Sequence, residues 1–244
     1  MKQTETGSTG EKKEIAGLIS ATEKEVLLLK DSMELETTEE VSGMTFYLGK
    51  LNGRELVLVQ CGRGKVNAGV CAQTLILRYG VDRILNTGVA GSLDSELNIG
   101  SIVISTDAVQ HDVDVTALGY QRGTIPGNER SVFPADGELR RSAAAAAASA
   151  APQKRVVEGR ICSGDQFIAD SAKKRSLGEY FGAVCCEMEG AAIAQVCAMN
   201  AVPFVLIRAI SDKADDLGHL SYQGLFEAVA RHNAAIVRNM LENS

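Results

Sequence analysis

Short apolar segments alternate with longer amphipathic segments along most of this chain. Three of the apolar ones, IAGLIS at 15–20, RELVLVQC at 54–61 and PFVLIRAIS at 203–211, are rich in Ile, Leu and Val and alternate little with polar residues. A strand of that composition is buried on both faces, because helices cover both faces of its sheet. We therefore predict the α/β fold class, as a three-layer α/β/α sandwich around a mixed central sheet.

Turn and cap signals set the boundaries of these elements. Asn52-Gly53 predicts a hairpin, Gly80 a helix C-cap, and Pro152 the end of an alanine-rich helix. Segment 107–135, rich in glycine, is predicted to be a long loop. The predicted strands are 15–20, 45–51, 54–61, 82–88, 101–106, 159–164, 182–188 and 203–211, and the predicted helices are 23–33, 65–80, 137–152, 189–200 and 222–242.

The chain is predicted to form one domain over 15–244, because no repeat or linker divides it. Residues 1–14 are polar and lack the apolar region of a signal peptide, so we predict a disordered leader. No apolar segment approaches the roughly 20 residues of a membrane span. The six cysteines include no C-x-x-C pair and lie in apolar surroundings. They predict buried thiols in a reducing compartment and hence a cytoplasmic protein.

The charge distribution indicates a small-molecule partner rather than nucleic acid or a membrane. Lys and Arg number 25 and Asp and Glu 31, which gives a formal net charge of −6. Nucleic-acid binding requires a concentrated basic surface, whereas short basic runs such as Lys173-Lys174-Arg175 are predicted to be solvated helix faces. The three histidines stand apart from the cysteines, so we expect no metal and no cofactor.

Acidic residues concentrate where the predicted strands end, which is where ligands bind in open α/β sheets. The turns at these ends contain ATEKE, GVAGS, SGDQFIAD, MEG and SDKADD, and four of the five include a carboxylate. Paired carboxylates suit glycosidic cleavage, because a protonated one serves the leaving group while an ionised one activates water. The pattern favours a neutral or cationic polar ligand.

The polar and aromatic residues of these turns and of the adjacent loop also have purely structural interpretations. Glu25 would be an ordinary acidic residue of a first helical turn, and Asp212 an N-cap. Phe167 and Met188 would be core residues. The pair His111 and Asp114 offers too few ligands for a metal and is interpreted as loop structure.

Seven stretches of the chain, taken together, carry a family resemblance. They are ATEKEVLLL, CGRGKVNAG, NTGVAGSLDSELNIGSIVIS, HDVDVTALGYQRGTIPG, CSGDQFI, CEMEGAAIAQVC and VPFVLIRAISDKAD. From about residue 15 to the C-terminus the chain resembles bacterial 5'-methylthioadenosine/S-adenosylhomocysteine nucleosidases of the purine nucleoside phosphorylase superfamily. The resemblance implies a nucleoside phosphorylase-like fold. It also implies hydrolysis of the N-glycosidic bond of methylthioadenosine, S-adenosylhomocysteine and 5'-deoxyadenosine, with release of adenine, in methionine salvage.

The resemblance also implies catalytic roles. Glu25 matches the base that activates the attacking water, and Asp212 the acid that protonates adenine at N7. Glu189 matches the carboxylate that binds ribose hydroxyls, and Met188 packs against the sugar. Glu187 is predicted to point to the other face of the strand end and is given no role.

Further residues match binding positions of the family. Phe167 matches the ring that stacks on adenine, and the backbone of Ile168 matches a hydrogen-bonding partner of the base. Leu118 and Pro126 match positions that complete the neighbouring subunit's site, which implies a homodimer. The other matched positions around the substrate are Ala21, Val89, Ala90, Gly91 and the aromatic Tyr222 in the 5'-thio pocket.

The chain departs from the family pattern at four positions. Val89 replaces a usual Ser, Leu118 and Tyr222 each replace a usual Phe, and Arg63 replaces an apolar residue. These departures are expected to affect the detail of the 5' pocket and the rate of the reaction, but not the reaction itself.

Two alternatives to hydrolysis stay open on the sequence. One is a phosphorylase, for which Arg63 is the available cation, although hexameric phosphorylases have an Arg at the position of Asn86. The other is a catalytically silent nucleoside-binding module, which the joint presence of Glu25, Glu189 and Asp212 disfavours.

Overall fold

A computed structural model of the chain describes residues 14–20, 23–213 and 222–242. In the last of these ranges, the side chains are described from residue 227 onward. Within these ranges one sheet contains ten strands: β1 Ile15–Ser20, β2 Glu34–Val41, β3 Met44–Leu51, β4 Arg54–Gln60, β5 Arg83–Ser92, β6 Ile102–Gln110, β7 Val132–Pro134, β8 Val156–Ser163, β9 Ala183–Glu187 and β10 Phe204–Asp212. The helices are α1 Glu23–Lys30, α2 Lys65–Tyr79, α3 Gly137–Ala150, α4 Ser171–Phe181, α5 Gly190–Met199 and α6 Tyr222–Glu242. Of the predicted leader, only Glu14 lies within the described residues.

The sheet is mixed, as predicted. β1 lies between β4 and β5 and runs parallel to both, and β10 also runs parallel to β5. The antiparallel strands β2 and β3 continue the sheet beyond β4. On the other side, β5, β10, β6, β8 and β9 each pair with the next, and β9 pairs with β5 again. These five strands therefore form a closed ring.

Helices cover both faces of the sheet and confirm the predicted three layers. One core lies between the sheet and helices α2 and α5, and its helical residues include Leu75 and Ile193. A second core on the opposite face contains Leu29 of α1, Ala143 of α3 and Ile236 of α6. A smaller apolar cluster lies between α4 and strands β6, β8 and β9.

The local turn and cap predictions are confirmed. Asn52 and Gly53 both have positive φ, 53° and 75°, which is the two-residue hairpin geometry that Asn-Gly favours. Gly80 has φ 64° and its N–H donates to the carbonyl of Leu75, so it caps α2 in the left-handed conformation.

Several boundaries differ from the prediction. Helix α1 ends at Lys30 rather than at 33, β5 continues to Ser92, and β6 continues to Gln110 into the segment predicted as loop. Strands β2 and β7 and helix α4 were absent from the prediction, and β7 lies in the segment predicted as loop. β2 has the sequence ELETTEEV and is largely exposed, so no apolar pattern marks it as a strand.

The six cysteines are free and buried, as predicted. Burial raises the pKa of the Cys186 and Cys197 thiols to about 12, so these thiols are protonated and unreactive near neutral pH. Among the described residues, no helix combines the length and the apolar character that a membrane crossing requires.

Helix α1 offers a matched test of the sandwich core. Leu29→Ala should lower the free energy of unfolding by about 2–5 kcal/mol, because Leu29 is 0% exposed and its loss leaves a cavity. Leu27→Ala, the same change at a side chain that is 46% exposed, should cost at most about 1 kcal/mol. Urea unfolding of both variants measures the difference, and equal costs would contradict the packing of α1 on the sheet.

Candidate active site

The carboxyl-terminal half of β5 forms the floor of the candidate site. The Gly88 carbonyl accepts a hydrogen bond from Asn233 Nδ2 at 3.2 Å, and the Ala90 carbonyl accepts one from Ser211 Oγ at 3.3 Å. A side chain at Gly91 would place its Cβ 2.9 Å from Oδ2 of Asp212. The backbone of β5 therefore approaches Asp212 closely, and only a glycine fits there.

Glu25 is buried beside this floor and is not a solvated helix residue. It is 1% exposed, whereas Glu23, two residues earlier in α1, is exposed. Its Oε2 accepts a hydrogen bond from Ser20 Oγ at 2.7 Å, and its Oε1 accepts one from Asn233 Nδ2 of α6. Since Asn233 also bonds the Gly88 carbonyl, α6 fixes Glu25 relative to β5.

Asp212 ends β10 and forms an ion pair that the sequence did not predict. Its Oδ1 accepts a hydrogen bond from Ser211 Oγ at 2.8 Å, and its Oδ2 lies 2.6 Å from Lys174 Nζ. Lys174 Nζ also donates to the Lys213 carbonyl at 2.6 Å. Asp212 is therefore a buried carboxylate paired with a cation, and the segment that it would cap as an N-cap lies outside the described residues.

The prediction that Lys174 belongs to a solvated helix face is wrong. Lys174 is only 4% exposed, while Lys173 and Arg175 are exposed as predicted. Lys174 lies three and seven residues before Leu177 and Phe181, the buried apolar residues of α4. That spacing puts all three side chains on the inward face of the helix. The same spacing is visible in the sequence and could have identified Lys174 as inward-facing.

Glu187, to which the sequence assigned no role, holds the start of α5. Its carboxylate accepts hydrogen bonds from the backbone N–H groups of Glu189 at 3.0 Å and Gly190 at 2.8 Å, and from the hydroxyl of Ser163. Burial alone would raise the pKa of Glu187, but the charge of Arg208 and the Ser163 bond outweigh burial and lower that pKa. An ionised carboxylate also suits the N-terminus of a helix.

Arg208 of β10 is fully buried and links this carboxylate to β5. Its Nη2 lies 2.9 Å from Glu187 Oε2 and also donates to Asn86 Oδ1. Its Nη1 donates to the backbone carbonyls of Asn86 at 3.1 Å and Ile207 at 3.0 Å. Asn86 Nδ2 in turn donates to the Ile19 carbonyl at 2.9 Å. The guanidinium is therefore committed to partners within the protein.

Glu189 follows β9 and has hydrogen-bond partners different from those of Glu187. Its Oε1 accepts a hydrogen bond from the backbone N–H of Gly64 at 2.8 Å, at the start of α2. Burial, and then the negative charge of Glu187, raise the pKa of Glu189 to about 7. The two carboxylates around Met188 are thus one firmly ionised group and one that can exist in either form near neutral pH.

The other predicted binding residues whose side chains are described fall into three groups. Met188, Val89 and Gly91 are half-buried and Ala90 is buried, all next to the carboxylates described above. Ile168 is buried under α4, whereas its neighbour Phe167 is 65% exposed. Leu118 is 73% exposed, and Pro126 is also exposed on the same loop. Ala21 and the side chain of Tyr222 lie outside the described part of the chain.

Salt bridges hold the loops at the edge of the site. Lys65 Nζ lies 2.6 Å from Asp112 Oδ1 and donates to Gln110 Oε1 at 2.9 Å. Asp112 Oδ2 accepts the N–H of Asp165 at 2.9 Å, and Asp165 Oδ1 accepts the N–H of Lys65 at 2.8 Å. The loops after β6 and β8 are thereby joined to the start of α2, which supports the backbone that leads to Phe167.

Residues 15–242 match the Phosphorylase superfamily. The chain belongs to this superfamily. A similar relative is the 5'-methylthioadenosine/S-adenosylhomocysteine nucleosidase of Shewanella piezotolerans, which is 42% identical over 91% of this chain and 96% of its own length. The nucleosidase of the same name from Neisseria meningitidis, solved in complex with methylthio-immucillin-A, is 37% identical with a TM-score of 0.88, over 95% of this chain and 100% of that one.

The futalosine hydrolase of Helicobacter pylori is also similar, at 30% identity and a TM-score of 0.88 over 95% of this chain and 99% of that one. The resemblance to the methylthioadenosine/S-adenosylhomocysteine nucleosidases that the sequence predicted is confirmed, and so is the nucleoside phosphorylase-like fold. For this member of the superfamily, sequence analysis missed the supporting residues Lys174, Arg208, Asn233 and Ser20.

The raised pKa of Glu189 makes stability depend on pH in a defined direction. A native pKa of about 7, above the ordinary value of 4.5, means that the stabilisation is complete below pH 4.5 and is lost as the pH rises to about 7. Glu189→Gln imitates the neutral form. The free energy of unfolding of the wild type minus that of Glu189→Gln should therefore fall between about pH 4.5 and 7 and stay constant above.

Urea unfolding at a series of pH values measures this difference. Leu27→Ala, which changes no titratable group, is the control and should differ from the wild type by a constant amount. A difference for Glu189→Gln that rises with pH would mean that Glu189 is held as a carboxylate.

Proposed function

We propose that this protein hydrolyses the N-glycosidic bond of 5'-methylthioadenosine and S-adenosylhomocysteine, and also that of 5'-deoxyadenosine. The products are adenine and the corresponding 5-substituted ribose, as methionine salvage requires. The names of its similar relatives support this activity. The main structural support is the placement of two buried carboxylates, Glu25 and Asp212, at the two ends of segment 88–91 of β5.

The spacing of these two carboxylates suits the reaction. Gly88 and Gly91 are about 10 Å apart along an extended strand. Asn233 ties Glu25 to the first of them and Asp212 lies against the second, so we propose that the ribose and the attacking water bind between the two carboxylates. We assign Glu25 as the general base that activates water and Asp212 as the general acid at N7 of adenine. Protonation at N7 makes the purine a better leaving group while an oxocarbenium-like sugar forms.

The surroundings of Glu25 support its role as the base. Ser20 and Asn233 fix both carboxylate oxygens, which keeps the group aimed at one position. Asn233 Oδ1 is buried and, among the described residues, has no hydrogen-bond partner. A buried polar atom of this kind next to a carboxylate suits a bound water or a substrate hydroxyl.

We assign the remaining carboxylate, Glu189, to the ribose hydroxyls. Glu187 fixes the position of Glu189 at the start of α5. The Glu189 carboxylate accepts a hydrogen bond from the backbone N–H of Gly64 and keeps oxygen lone pairs for a sugar. Phe167 is exposed in the unliganded chain and is assigned to stack on adenine, with Met188 against the sugar and Ile168 supplying backbone hydrogen bonds. Val89, Ala90 and Gly91 are assigned to the floor beneath the substrate. Ala21 and Tyr222, assigned to substrate binding by the family resemblance, lie outside the part of the chain whose side chains are described.

The arrangement of charges disfavours the phosphorylase alternative. Phosphate binds at helix N-termini and to free cations. At the start of α2, the N–H groups of Gly64 and Lys65 bind Glu189 and Asp165 instead. Arg208 is paired with Glu187 and Lys174 with Asp212, while Arg63 is exposed. The anion-binding groups of the site therefore serve the protein's own carboxylates.

We also propose that the protein is a cytoplasmic homodimer in which Leu118 and Pro126 complete the neighbour's 5'-thio pocket. Leu118 and Tyr120 are exposed apolar residues on one loop, and Val66 and Val70 are exposed on one face of α2. Exposed apolar residues in such numbers are typical of an interface. The buried, reduced cysteines support the reducing compartment.

The reaction class is tested by adenine release in phosphate-free buffer. The wild type should release adenine from methylthioadenosine without phosphate, because water is the nucleophile. Glu25→Gln should lower kcat by at least about 10²-fold, since it removes the base. Glu23→Gln, on the exposed side of the same helical turn, is the control and should keep wild-type activity. Adenine release that requires added phosphate or arsenate would identify a phosphorylase.

The dimer is tested by Leu118→Asp. A buried, unpaired aspartate should weaken association. It should also raise KM for methylthioadenosine more than for adenosine, whose 5' group is smaller and more polar. Leu35→Asp, on the exposed edge strand β2, is the matched control and should change neither. Sedimentation and kinetics on the same samples measure both effects, and a fully active wild-type monomer would rule out the shared pocket.

A further inference from the structure

The pairing of Asp212 with Lys174 raises a question about the acid that the proposed reaction needs. A general acid must carry a proton when the leaving group departs. However, both carboxylate oxygens of Asp212 accept hydrogen bonds, Oδ1 from Ser211 Oγ and Oδ2 from Lys174 Nζ at 2.6 Å, so neither oxygen carries a proton in this arrangement. The proton that reaches the purine therefore has to come to Asp212 from elsewhere.

Three groups with exchangeable protons surround Asp212 in the described part of the chain. Ser211 donates its hydroxyl proton to Oδ1, but an alcohol is far too weak an acid for this transfer. Cys186 of β9 is close enough for its thiol to sense the charges of Asp212, Lys174, Glu187 and Lys173, and its pKa is raised to about 12. Lys174 of α4 is left as the group whose proton already lies on a hydrogen bond to the carboxylate.

Because Lys174 and Asp212 are both buried, the source of the proton decides whether a buried charge is left without a partner. If Asp212 took a proton from solvent, Lys174, which is 4% exposed, would remain as a buried ammonium without its counter-ion. If Lys174 gives the proton, the ion pair becomes a neutral amine beside a neutral acid, and no charge is left unpaired. Lys174 also lies in the first turn of α4, where the helix dipole disfavours a positive charge. Both effects favour transfer from Lys174.

We propose that Lys174 supplies the proton that Asp212 delivers to the leaving purine, an inference that rests on the function proposed above. When the nucleoside is bound, an N–H bond of Lys174 Nζ breaks and an O–H bond forms on the Asp212 carboxylate. That O–H bond then breaks as an N–H bond forms at N7, and the electron pair of the N-glycosidic bond goes to the purine. Water adds to the sugar and gives its proton to Glu25.

The neutral lysine takes a proton from solvent after adenine leaves, and Glu25 releases one, so the cycle is balanced. Lys174 touches Asp212 and the Lys213 carbonyl. It acts through Asp212 and is thus a positioning residue that also carries the proton.

The Lys174→Arg variant separates proton donation from simple charge pairing, because a guanidinium keeps its charge but cannot give up a proton. Lys174→Arg and Lys174→Met should each lower kcat for methylthioadenosine by about 10²-fold or more, as Asp212→Asn should, with KM within about threefold of the wild type. Arg175→Met, on the exposed side of α4, is the control and should keep wild-type kcat.

A second substrate tests whether the loss concerns the leaving group. In the 4-nitrophenyl glycoside of 5-methylthioribose, the leaving group is 4-nitrophenolate, which needs no protonation. The Lys174 and Asp212 variants should therefore cleave this substrate at near wild-type rates. Glu25→Gln should lose activity on both substrates. If Lys174→Met does not fold, Lys174→Arg alone decides, because it keeps the buried charge pair.

The proposal is overturned if Lys174→Arg retains more than about a third of wild-type kcat on methylthioadenosine, since electrostatic pairing would then suffice. It is also overturned if the variants lose activity equally on both substrates, which would indicate a structural role. A wild type that releases adenine only with phosphate would instead contradict the function proposed above. The two failures are therefore distinguishable.

Discussion

A single buried ion pair, Glu187 with Arg208, joins the elements from which the candidate site is made. Arg208 belongs to β10 and holds Asn86 of β5, while Glu187 ends β9, bonds Ser163 of β8 and caps α5. Removing one member would leave a buried charge without its partner, at a cost of about 3–5 kcal/mol. The positions of the other charged groups depend on this pair, because it fixes four strands and the start of a helix relative to one another.

The charges of the site follow one rule, which is that each buried cation faces a carboxylate of the protein. Arg208 faces Glu187, and Lys174 faces Asp212. The carboxylates that remain, Glu25 and Glu189, accept hydrogen bonds from hydroxyl, amide and backbone groups, none of which carries a positive charge. A site of this kind offers proton donors and acceptors to a polar nucleoside and offers little to a free anion.

The sequence predicted the fold class, most of the elements and the carboxylates at the strand ends, because each depends on a local pattern. Apolar strands, the Asn52-Gly53 turn and the Gly80 cap are examples. It did not predict β2, whose exposed side chains carry no apolar period, or the buried state of Lys174. A lysine is ordinarily exposed, and its burial here depends on Asp212, 38 residues away. The helical spacing of Lys174, Leu177 and Phe181 could have indicated the inward face of α4, but no local pattern identifies Asp212 as the partner of Lys174.

The closed ring of strands has a consequence for the order in which the protein can fold. Among the described residues β10 is the last strand in sequence order, and it fills the gap between β5 and β6. Until residues 204–212 have left the ribosome, β5 and β6 present open edges to solvent, and exposed edges of this kind promote aggregation. The same strand brings Asp212 to its end. Closure of the ring and arrival of Asp212 are therefore one event, and a nascent chain that lacks β10 has neither a closed ring nor this carboxylate.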